Sequence, residues 1–139
     1  MTKRDELMVE LERTFQYTIR ALRKGINETL GDEVNRSEFI LLKYLHENGS
    51  SKVSSISNEL KVTSSHITSV ADSLVEKDYV TRERSLEDRR VVEITLTPTG
   101  ATLFEKLHNK KTDYLFSTFD GLSNEEILTL ISLFQKFKM

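Results

Sequence analysis

The chain has 139 residues with a formal net charge of −2; 37% are hydrophobic and 30% charged, and there are five Gly, one Pro and no Cys. That length suits one domain burying roughly 70% of its unfolded surface, and the composition is that of a folded globular protein. Lack of cysteine excludes disulfides, thiolate nucleophiles and zinc–thiolate sites. No apolar run approaches the ~20 residues of a membrane span, and MTKRDELMVE has no signal-peptide apolar core, so the expected setting is soluble and cytoplasmic, away from any membrane.

In chain order, Leu7, Leu11, Phe15, Ile19, Leu22, Ile26 and Leu30 recur in steps of three and four, which predicts a long amphipathic helix closed by Gly31. Asn35 and Glu38 form a capping-box pattern before FILLKYL, so a second helix is expected from about Arg36 to Asn48, with Gly49 as its stop. Two short helical patterns follow closely. One carries Ile56 and Leu60 behind an expected cap at Ser54; the other carries Ile67, Val70, Ala71, Leu74 and Val75 behind a cap at Thr63. Their separation fits a helix-turn-helix. The period then changes to two: Val80, Arg82 and Arg84 alternate with Tyr79, Thr81 and Glu83, and Val92, Ile94 and Leu96 with Val91, Glu93 and Thr95. These runs and the polar loop Ser85–Arg90 predict a hairpin. Thr97 as N-cap with Pro98 at N1 restarts a helix through Leu103, Phe104, Leu107, Tyr114, Leu115 and Phe119; Gly121 is expected to break it, and Ser123 with Glu126 opens the last helix.

The fold class is therefore mainly α with a small β-hairpin, in the order α-α-α-α-β-β-α-α: a winged helix-turn-helix flanked by terminal helices. We divide it into an N-terminal dimerisation helix (1–34), a DNA-binding lobe (35–97) and C-terminal dimerisation helices (98–139), forming one intertwined domain. The last helix packs seven large apolar residues into the eleven positions from Ile127 to Phe137, more than one surface stripe requires. A ~20-residue helix also spans about 30 Å, longer than a small winged helix can cover. A two-fold homodimer is the economical way to bury that surface. Packing of the three terminal helices within one chain is the alternative.

A helix-turn-helix presents the start of its second helix to base edges in the major groove. Here that start carries Ser64, Ser65, His66, Thr68 and Ser69, opposite the apolar Ile67, Val70, Ala71 and Leu74. Short hydroxyls and an imidazole can reach phosphates or bases there, although plain solvation also produces a polar helix face. At the hairpin tip an arginine can enter the narrow minor groove, and an acid two residues before it can orient the guanidinium through a bidentate pair. Asp88 and Arg90 have that spacing, with Arg89 between them free for a phosphate. Charged solvated turns are common, so the combination of helix and hairpin carries the inference.

That combination resembles the MarR-type transcriptional regulators over essentially the whole chain. The resemblance lies in DRRVVEITLTPTG at Asp88–Gly100, SLVEKDYVTRE at Ser73–Glu83 and SSISNELKVTSSHIT at Ser54–Thr68. Its core is Asp88, Arg90, then Leu96, Thr97 and Gly100. The resemblance implies a dimeric repressor or activator on pseudo-palindromic double-stranded DNA, with Arg90 in the minor groove and Asp88 orienting it. It also implies a small phenolic, aromatic or lipophilic effector between the dimerisation helices and the DNA-binding lobe. The sequence departs from the family pattern at Ser69 and Ser73, where many members carry arginine, and at Asp78, where glycine is usual.

Arg36–Pro98 holds nine basic and ten acidic residues, so affinity is expected to rest on a few placed cations, with a shallower salt slope than a strongly basic protein shows. A winged module that binds proteins and not DNA is the competing class, and salt-sensitive duplex binding discriminates the two. An enzyme is not expected: there is no Gly-rich phosphate loop or GxSxG, and the adjacent carboxylates Glu87 and Asp88 lie in a turn without a pocket. His46, His66 and His108 lie far apart in sequence with no metal-ligand spacing, so neither metal nor cofactor is expected. Phe15 and Tyr17 could line an effector pocket, with core packing the stronger expectation. A small organic effector is the default by elimination, beside a ligand-free regulator.

Overall fold

A computed structural model describes residues 1–139. The elements are α1 (Lys3–Leu30), α2 (Arg36–Asn48), β1 (Ser51–Lys52), α3 (Val53–Leu60), α4 (Ser64–Glu76), β2 (Val80–Arg84), β3 (Val92–Leu96), α5 (Pro98–Thr118) and α6 (Asn124–Gln135). The predicted order holds with one addition. The two-residue β1 pairs antiparallel with β3, so the sheet has three strands in the order β1-β3-β2. No helix is long and apolar enough to cross a membrane.

Most of the helix starts follow the capping logic of the sequence. Asn35 Oδ1 accepts from the Glu38 N–H while Glu38 Oε1 accepts from the Asn35 N–H, both at 2.9 Å, and Ser123 with Glu126 repeats that reciprocal arrangement. The exception is α3. Ser54 does not cap it; the helix begins at Val53 behind Lys52, which makes no side-chain cap bond. Pairing of Lys52 with Glu93 holds Lys52 in extended backbone, and the helix starts at the next residue. The α5 break also falls before Gly121, at Phe119.

One hydrophobic core of sixteen buried residues joins α2, α3, α4, β2, β3 and α5. Leu42, Leu45, Ile56, Ala71, Leu74 and Ile94 are almost wholly enclosed. Leu30 and Val34 enter from the end of α1 and the following turn, and Leu103, Phe104 and Leu107 from α5. Further out, burial fails: α6 has no buried residue, and Leu7, Leu11, Phe15 and Tyr17 on α1 are exposed. Packing within one chain therefore does not cover the terminal helices. Phe15 and Tyr17, expected to pack in the core, lie outside it and are exposed.

The base of the hairpin is clamped by three short contacts. Asp78 takes the left-handed backbone conformation (φ 64°), which Asp tolerates better than most residues. The Thr97 hydroxyl donates to Asp78 O at 2.8 Å and accepts from the Gly100 N–H at 3.0 Å. The Thr97 N–H donates to Tyr79 O at 3.1 Å. A Cβ on Gly100 would collide with that Tyr79 oxygen, so the glycine of the Leu-Thr-x-x-Gly signature is a steric requirement of the strand-to-helix joint.

Candidate nucleic-acid interface

α4 begins where Thr63 Oγ1 accepts from the His66 N–H at 3.0 Å. Its inner face, Ile67, Val70, Ala71 and Leu74, is buried against the core. This leaves Ser64, Ser65, His66 and Ser69 exposed and Thr68 half-buried at the rim. Ser64, Ser65, Thr68 and Ser69 share a polar depression with Asp72. Ser64 and Thr68 also line a second groove of about 640 Å³ that runs from the start of α3 to the wing. His66 lies outside both sets of lining residues.

At the wing tip, Arg90 Nε and Nη2 donate to Asp88 Oδ1 and Oδ2, each at 3.1 Å, and the Arg90 backbone N–H donates to Oδ1 at 3.0 Å. The expected fork is formed, and the Arg90 side chain stays 90% exposed while its orientation is held. These bonds, the guanidinium's first and the backbone amide's second, keep the Asp88 carboxyl below its usual range. The loop is tied further by Ser85 N–H to Val91 O at 2.8 Å and by Arg84 Nη1 to Arg89 O at 2.7 Å. Arg89 is exposed but does not line the groove.

Three cations join Arg90 along that groove: Lys52, Arg82 and Arg84. Arg82 and Arg84 were legible as same-face residues of the strand, since Arg82 sits opposite Ile94 and Arg84 opposite Val92. Lys52 carried no such signal, because β1 is too short for a period. A lobe of nearly neutral charge thus concentrates basic groups on one side. Two of the groove cations carry an acidic partner, Asp72 on Arg82 and Asp88 on Arg90, whereas Glu38 pairs with Lys77 outside the groove. Ser73, on α4, does not line the groove. Its hydroxyl donates to Glu38 Oε2 at 2.9 Å. His46 and His108, distant in sequence, meet on Phe104, their ring centroids 4.6 and 5.4 Å from its own.

A helix-turn-helix with a cationic hairpin beside its second helix defines the winged helix-turn-helix class of DNA-binding protein. A model described as the MarR family matches residues 34–92. The uncharacterized HTH-type transcriptional regulator YpoP of Bacillus subtilis is 41% identical over 98% of this chain and 96% of its own length. The HTH-type transcriptional repressor MdtR of Bacillus subtilis is 28% identical over 92% of this chain and 83% of its own. Among solved structures, the YusO protein from Bacillus subtilis superposes with a TM-score of 0.81 at 26% identity, covering 97% of this chain and 96% of that one. The chain belongs to the MarR family of DNA-binding transcriptional regulators, and it is not an enzyme.

Proposed function

We propose that the protein is a homodimeric repressor that reads a pseudo-palindromic operator on double-stranded DNA and is released by a small aromatic or lipophilic effector. The observation that carries the DNA-reading part is the Asp88–Arg90 fork, an oriented and exposed guanidinium on a hairpin beside a polar-faced helix. In this reading the first turn of α4 (Ser64, Ser65, His66, Thr68, Ser69) enters the major groove, Arg90 enters the minor groove and Arg89 meets a phosphate. Lys52, Arg82 and Arg84 add phosphate contacts along the groove between them. The uncovered apolar faces of α1 and α6 support the dimer, and the repressor MdtR among the relatives supports the sign of regulation. Release follows if the effector favours a dimer whose recognition helices no longer match half-sites about 34–36 Å apart.

The test is fluorescence anisotropy on duplex DNA from upstream of the protein's own gene, across a salt series. Wild type is expected to bind with an affinity that falls as salt rises. Arg90→Ala should weaken binding by roughly 1–3 kcal/mol. Absence of binding at low salt would overturn the reading.

A further inference from the structure

Glu38 and Ser57 are the two polar residues buried in this protein, and Glu38 is the charged one. Its carboxylate is fully engaged. Oε1 accepts from the Asn35 N–H at 2.9 Å and from Lys77 Nζ at 3.1 Å; Oε2 accepts from the Ser73 hydroxyl and from Lys77 Nζ, both at 2.9 Å. Lys77 Nζ also donates to Glu33 O at 3.2 Å, and Lys106 Nζ of α5 reaches Glu33 Oε1 at the same distance. One node thus ties together the C-terminal end of α4, the N-terminus of α2, the α1–α2 turn and α5.

An apolar pair of similar volume would hold α2 against α4 about as well, because desolvation offsets much of a buried ion pair's attraction. What the polar node adds is direction. The short Ser73 hydroxyl reaches the carboxylate over only a narrow range of rotation and position of α4, and the longer Lys77 side chain adds a second, more flexible tether. A sliding hydrophobic contact imposes neither. The far side of the node is the end of α1, whose exposed first half is the surface assigned above to the partner copy.

We propose that Glu38 is a positioning residue: through Ser73 and Lys77 it locks the recognition helix to the α1–α2 junction and so sets the separation of the two recognition helices in the dimer. The inference rests on the DNA-binding dimer proposed above. It concerns which half-site spacing is accepted, a property distinct from whether DNA is bound.

The experiment begins with a duplex enriched from a random library by the wild-type protein, together with copies of it carrying one or two extra base pairs at the dyad. Each added pair rotates one half-site by about 34–36° relative to the other. Wild type is expected to prefer the native spacing by about tenfold or more. The double variant Glu38→Leu/Lys77→Met leaves no unpaired buried charge and takes the acceptor away from Ser73, while the N–H of the exposed Asn35 turns to water. It should remain a folded dimer while its spacing preference falls below about threefold. Lys77→Arg, which still presents donors to the carboxylate, should keep the preference. Ser73→Ala removes one of the α4 donors with little change in volume and should narrow the preference partially, which keeps the test decisive if the double variant fails to fold. A folded double variant, or Ser73→Ala, with unchanged spacing preference would overturn the inference and leave the DNA-binding reading standing. Failure of wild type to enrich any duplex would overturn both.

Discussion

Arg90 reaches 90% exposure with its guanidinium still oriented because Asp88 supplies both oxygens and a backbone anchor within the same turn. In the reading proposed above, a free arginine would lose rotamer freedom on entering the groove, whereas this one is already restrained by Asp88. Gly100 carries the other single-residue constraint. Any side chain there meets the Tyr79 carbonyl, a backbone atom that cannot move without opening the joint between β2 and α5. Gly100→Ala is therefore expected to destabilise the protein by roughly 1–3 kcal/mol in urea unfolding, despite alanine's better helix propensity. A neutral or stabilising result would show that the joint has slack.

At the scale of elements, the first turn of α4 is held against fraying by Thr63, which satisfies the otherwise orphaned His66 N–H. Thr63→Ala should cost about 1 kcal/mol, read as a Tm lower by roughly 3–5 °C, and Thr63→Ser should recover most of it. The α2–α4 contact has its own titration. Burial acts to raise the Glu38 carboxyl, but the hydrogen bonds from Asn35, Lys77 and Ser73 and the charge of Lys77 outweigh it, leaving it below its ordinary 4.5. The folded state then binds fewer protons than the unfolded chain, so this contribution is complete above pH 4.5 and is lost as pH falls through the lower folded value. Thermal melts from pH 7 downwards should show wild type losing stability in that acid range, with a shallower loss in Glu38→Gln. Parallel curves would remove Glu38 as a source of acid sensitivity.

For the molecule as a whole, the decisive fact is that no residue of α6 is buried within its own chain. Ile127, Leu130, Ile131 and Phe134 line an open apolar cavity of about 610 Å³ with Phe116 and Phe119. Each such side chain brought to full burial is worth up to about 1.5–3 kcal/mol, enough in sum to hold a dimer. Ile131→Glu is expected to convert a dimer to a monomer in sedimentation equilibrium and to weaken operator binding at least tenfold, or about 1.4 kcal/mol. The winged lobe should keep its cooperative melt, since Ile131 lies outside its core. A variant that stays dimeric would move the interface to another face.

Periodicity and capping chemistry made most of this protein legible in its sequence. Steps of three and four, the change to period two at Val80, and the Asn35/Glu38, Thr63, Thr97/Pro98 and Ser123/Glu126 starts are local, and local backbone energetics decide them. The wing fork belongs with them, because Asp88 and Arg90 are two residues apart and need only a turn to meet. What tertiary structure alone decided lies between segments remote in the chain. A two-residue strand has no period, so β1 and the start of α3 follow from pairing with β3, and Lys52 joins the groove for that reason. Ser73 read as an empty place on a DNA-facing helix until folding brought Glu38, 35 residues earlier, within 2.9 Å of it. Such contacts form only after the core has closed, when a buried carboxylate must find its donors wherever the packing has put them.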